Sequence, residues 1–129
     1  MIRTRVVLLL AAALVPAYPA CAHHSYAAYD DARTVRLTAT VETFHWANPH
    51  AALQILARTD GLDAQEEWDV ETSSPSILQR FGWKRDSLKR GDRVMVVVNP
   101  MRDGSHHGRL HTVTLLDTGQ VLKTKLSGP

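Results

Sequence analysis

Three successive segments of alternating apolar and polar residues, one short capped helix, and two further strand-like segments predict a small, mainly β domain. The helix falls between the third and fourth strands. That order is the arrangement of the OB-fold, a partly open, five-stranded Greek-key barrel. A small β-sandwich is the alternative, but immunoglobulin-type sandwiches need about seven strands.

The first strand is read over Thr34 to Phe44. Val35, Leu37, Ala39 and Val41 fall on one side, and Arg36, Thr38, Thr40 and Glu42 on the other. The stretch "HWANPH" ends it as a loop, because Asn48-Pro49 favours a turn and Pro49 has no N–H to give a ladder. Ala51 to Arg58 forms the second strand, with Leu53, Ile55 and Ala57 on one face. "TDGLD" is a hairpin signal around Asp60-Gly61. Glu67 to Thr72 is the third strand, with Trp68 and Val70 inward and Glu67, Asp69 and Glu71 outward.

The helix lies in "SSPSILQRFGW". Ser74 suits the N-cap, Pro75 the first helical position, and Gly82 the left-handed residue that stops it. Ile77, Leu78 and Phe81 form its apolar stripe, and Trp83 is expected to pack back on it. Arg90-Gly91-Asp92 turns into Val94 to Val98, an unbroken apolar run that predicts a strand buried on both sides. "PMRDGSHHGR" reads as a loop, Leu110 to Leu116 as the last strand, and "DTGQVL" as room for a short extra hairpin. The domain is thus set at residues 34–122, preceded by a polar arm over 23–33 and followed by a tail over 123–129.

Residues 1–22 read as a cleaved export signal. Arg3 and Arg5 open the chain, an uncharged apolar stretch of about ten residues comes next, and Ala20 and Ala22 flank a cut before His23. The stretch falls short of the about 20 apolar residues that span a bilayer. Lipidation of Cys21 is the rival reading, but Tyr18 stands where a lipoprotein signal places an aliphatic residue. The expected compartment is the periplasm or the exterior.

Cleavage removes the one cysteine, so the finished chain forms no disulfide and depends on its core. Arg3 and Arg5 leave with it, so the 15 Lys and Arg fall to 13, equal to the 13 Asp and Glu. A neutral chain lacks the bulk attraction that drives nucleic-acid binding. Charge is nonetheless segregated. Asp60, Asp63, Glu66, Glu67, Asp69 and Glu71 form an acidic stretch, and Arg80, Lys84, Arg85, Lys89, Arg90 and Arg93 a basic one. These are expected to be solvated faces, paired across the fold.

The sequence resembles the exported bacterial family catalogued as domain of unknown function number 6152. The resemblance rests on the start "AHHSYAAYD", the segment "FHWANPHAAL" and the stretch "ETSSPSILQRFGWKRDSLKRGDRV". It implies export and a β-barrel, and it supplies no catalytic residue. "SHHGR" lies outside the shared pattern.

Seven histidines mark the candidate chemistry. In an OB-fold, the loops after strands one and four frame the ligand face. Here they carry His45, Trp46, Asn48 and His50, and His106 and His107. With His23 and His24 at the new terminus, where the free amine and an imidazole chelate together, these six histidines form a candidate site for a transition metal, most plausibly copper. The non-metal reading makes the His pairs solvated or structural and puts a small molecule or protein partner on the face of Trp46 and Asn48. Trp46 serves there as a stacking platform or, on the plainer reading, as a plug in the barrel end. His111, in phase with Val113 and Leu115, reads as a core or rim residue. No G-x-S-x-G, P-loop or dinucleotide fingerprint is present, and the expectation is a binding protein and not an enzyme.

Overall fold

The computed structural model describes residues 26–58 and 64–124. The hairpin signal at 59–63, the leader and His23 and His24 lie outside the described residues. A 3-10 turn at Tyr26–Ala28 precedes β1 (Val35–His45), β2 (Ala52–Arg58) and β3 (Gln65–Glu71). Then come α1 (Pro75–Arg80), β4 (Arg93–Pro100), β5 (His107–Leu115) and β6 (Val121–Lys123). The sheet order is β3-β2-β1-β4-β5-β6, and β5 returns to pair with β3. The first five strands therefore close into a barrel with the helix between the third and fourth. β6 is the extra hairpin, antiparallel to β5.

The inward residues obey the alternation. Leu37 and Val41 of β1, Leu53 and Ile55 of β2, Val70 of β3, Val94, Val96 and Val98 of β4 and Val113 of β5 are buried in one core. Two bulges bend the strands so that the sheet can curl. In β1, Val41 faces Ile55 and Thr43 faces Gln54, which leaves Glu42 as the extra residue. Phe44 consequently turns inward, opposite Leu53, although it is out of phase with Val41. In β5, Thr112 faces Val97 and Leu110 faces Val98, so His111 is the extra residue. His111 is therefore not in phase with Val113, and it sits outside the apolar core.

Two further expectations are corrected. β4 is not buried on both sides. Met95 and Val97 are only half-buried, because they share the outer face with Thr38 and Arg36 of β1 and Thr114 and Thr112 of β5. Ser74 precedes α1 without a side-chain cap bond, and its hydroxyl lies 3.1 Å from that of Ser76. Pro75 does occupy the first turn, and Gly82 takes φ +84° as the helix ends. Trp83 reaches beyond the helix. Its ring lies 5.8 Å from that of Phe44, and its indole Nε1 donates to the Lys123 carbonyl of β6 at 2.7 Å.

Candidate functional site

The β1–β2 loop (46–51) and the β4–β5 loop (101–106) emerge at the same end of the barrel. One cross-strand row shows this: His45 faces Ala52, Ala52 faces Glu71, Glu71 faces Arg109, and Arg109 faces Asn99. The four described histidines of the sequence-predicted set, His45, His50, His106 and His107, thus gather at one end, but they do not converge on a point. His50 Nε2 lies 3.6 Å from Glu71, His106 Nε2 3.4 Å from Glu66, and His107 Nε2 3.5 Å from Asp69. His106 also stacks on Trp68, with ring centroids 5.2 Å apart. His107 is not at a loop tip but is the first residue of β5, directly opposite Asp69. His45 is exposed at the end of β1. Among the described residues no group of three His, Cys, Asp or Glu is placed to hold a metal.

The acidic stretch therefore meets the histidines, through Glu66, Asp69 and Glu71. The basic stretch finds acids elsewhere: Arg90 pairs with Glu42 and Arg93 with Asp117. The outer face of β2 and β3, where OB domains receive oligonucleotides, carries Glu67 and Asp69 exposed and Glu71 half-buried. Carboxylates there repel phosphates. Trp46 is half-buried and packs edge-on against Phe44 at 5.8 Å, while Asn48, joined to Pro49 by a cis peptide, is exposed.

The densest polar cluster at this end lies around four residues that periodicity does not single out: Tyr29, Glu71, Asn99 and Arg109. Each comes from a different segment, and barrel closure brings them together. Their arrangement begins with the parallel contact of β3 and β5, which spans only Asp69–Glu71 against His107–Arg109. Beyond it β3 leaves toward α1 while β5 continues to pair with β6. A cleft of about 220 Å³ opens between them, lined by Glu71, Thr72, Ser73, Arg109, Leu110, His111 and Thr124.

The arm packs against two of the residues that line this cleft, Glu71 and Arg109. Tyr29 bridges to Met101, and its hydroxyl donates to Glu71 Oε2 at 2.9 Å. The Arg109 guanidinium stands 5.7 Å over the Tyr29 ring and pairs with Asp31. Asn99, with 1% of its surface exposed, organises the rest. Its Nδ2 donates to the carbonyls of Asp30 (3.2 Å) and Arg33 (2.7 Å), so its Oδ1 must be the acceptor. That oxygen receives Arg109 Nη2 at 3.3 Å and also bonds His111 Nε2. His111 Nε2 therefore carries a hydrogen, and the bulge that expels this residue from the core places its ring beside Arg109.

A buried amide with four partners is costly to remove. Asn99→Leu keeps the volume but removes the side-chain donor from both arm carbonyls, of which Asp30's keeps the Arg33 N–H, and it is expected to cost roughly 1–2 kcal/mol in urea unfolding. Limited proteolysis should then cut within residues 26–33. A variant as stable as wild type, with an uncut arm, would show that Asn99 does not hold the arm.

The description "Family of unknown function (DUF6152)" belongs to the family model that matches residues 11–111. No curated protein and no solved structure matches the chain.

Proposed function

The chain belongs to that family of unknown function (DUF6152), and from its own site we propose an exported binding module that takes a small polar ligand in the cleft beside Glu71, Arg109 and His111. The observation that carries this reading is the cleft itself. It places an acid, a guanidinium and an imidazole around about 220 Å³, below the range of drug-sized pockets. The volume suits a compact, polar solute. His50 Nε2 lies 3.6 Å from the same Glu71 carboxylate. Export rests on the pattern of residues 1–22. No helix among the described residues is long and apolar enough to cross a membrane.

A second reading keeps copper at His23 and His24. It is favoured by the fastening of the arm just after them: Arg102 donates from its backbone N to the Ala28 carbonyl and from Nε to the Ala27 carbonyl. These bonds fix Ala27 and Ala28 to the β4–β5 loop.

One thermal-shift panel separates the two. Exported protein is scanned with Cu(II), Zn(II) and a set of small polar metabolites, beside Glu71→Gln and a chain starting at Ser25. On the cleft reading a metabolite raises the melting temperature of wild type and of the Ser25 chain, and Glu71→Gln abolishes the shift. A shift given by Cu(II) alone, and lost in the Ser25 chain, would replace that reading with the metal one.

A further inference from the structure

The arm already meets two of the cleft's lining residues with groups of the kind a ligand would carry. Asp31 brings a carboxylate to the Arg109 guanidinium. Tyr29 brings a hydroxyl to Glu71 Oε2. Both contacts fall on residues that line the cleft, and both come from one short segment held by Asn99 at Asp30 and Arg33. The strength of these contacts is uneven. Asp31 is largely exposed, with 63% of its side chain accessible, while Arg109 keeps only 24%. An exposed ion pair contributes little to stability, so Asp31 holds Arg109 by proximity more than by energy. A guanidinium that is mostly sheltered, faced by an internal carboxylate that is mostly solvated, is suited to exchange one carboxylate for another.

We propose that residues 29–33 form a strap whose Asp31 carboxylate stands where a ligand carboxylate binds Arg109, so that the cleft takes small hydroxy- or aminocarboxylates and does so by displacing Asp31. This rests on the cleft being the binding site. The second pole of the ligand, a hydroxyl or ammonium, meets Glu71 in place of the Tyr29 hydroxyl. The Asn99 bonds to Asp30 and Arg33 keep the strap attached while Asp31 swings away. Because the competitor is tethered, it acts at an effective concentration in the millimolar range. Ligand affinity is lowered by the fraction of molecules in which Asp31 occupies Arg109.

The test uses glycolate, glycine and acetate as probes, with calorimetry for affinity and amide NMR shifts for location. Asp31→Asn, a change at an exposed residue, removes the competing charge. It is expected to tighten glycolate or glycine binding about threefold, with acetate binding more weakly because it lacks the second pole. Arg109→Gln abolishes binding in both backgrounds. Equal affinity in wild type and Asp31→Asn, with shifts at His111 and Thr124, would overturn the strap while leaving the cleft reading intact. Failure of all three carboxylates in both proteins, with a neutral solute binding at the same amides, would overturn the carboxylate class. Failure of every solute at those amides would remove the cleft reading itself.

Discussion

Trp83→Ala is expected to lower the free energy of unfolding by about 3–5 kcal/mol, the range for truncating a fully buried tryptophan. Trp83 is 1% exposed and joins three parts of the chain that are otherwise remote. Its backbone N–H closes the end of α1 on the Leu78 carbonyl, its ring packs on Phe44 of β1, and its indole N–H reaches the Lys123 carbonyl of β6. Truncation leaves a cavity under the helix and an unsatisfied carbonyl on the last strand. Trp83→Phe keeps most of the apolar contact and loses the hydrogen bond, and its expected cost is smaller, about 1–2 kcal/mol. Urea unfolding of the two variants measures both. A cost for alanine below about 1 kcal/mol would mean that the helix and β6 do not depend on this side chain.

Gly108→Ala is the second large effect, expected at about 2–3 kcal/mol. A Cβ at position 108 would lie 2.8 Å from both Cβ and Cγ2 of Val98. Val98 is itself fully buried on β4, and Gly108 sits between Pro100 of β4 and Val70 of β3. The strand cannot retreat from Val98 without lifting away from the closing contact with β3. The clash therefore falls on the seam and not on a mobile side chain. Val98→Ala removes two of the three close atoms. In the double variant it should restore part of the loss, giving a coupling of about 1 kcal/mol or more in a double-mutant cycle. Strict additivity would show that the steric account is wrong.

Much of the barrel was legible in period two. β1 and β2 are legible to within one residue at each end because Leu37 and Leu53 alternate with polar or outward neighbours; β4 is placed by its valine run, but its alternation is hidden because Met95 and Val97 on the outer face are apolar too. Periodicity could not show where it breaks. Glu42 and His111 are single extra residues, and each reverses the phase of the strand beyond it, so strict alternation does not reveal that Phe44 turns inward or that His111 lies at the rim and not in the core. No residue type at those positions signals a bulge.

The candidate site was legible only in part. The two loops and their shared end came from the fold. The polar cluster did not, because Tyr29, Glu71, Asn99 and Arg109 become neighbours only when β3 meets β5. Glu71 read as one of three solvated carboxylates, since its burial is made by Tyr29 and His50. The histidines attract attention by number, yet three of the four that the sequence assigns to the two loops pair with single carboxylates. Asn99, the most enclosed polar residue at this end, falls just past the strand that the sequence predicts over Val94 to Val98.

The seam between β3 and β5 has a consequence for how affinity should behave. It is parallel and three residue pairs long, whereas the antiparallel pairings among the five barrel strands run over six or seven. The barrel opens most cheaply there, by breathing of one edge and without global unfolding. Glu71 and Arg109 face each other across that edge, so a ligand touching both is a stitch in the seam. It binds the shut barrel and draws on that population alone, so its apparent affinity contains the equilibrium of shutting. Substitutions along the seam that never meet the ligand will then change how tightly it is held, and the ligand in turn will quiet the breathing.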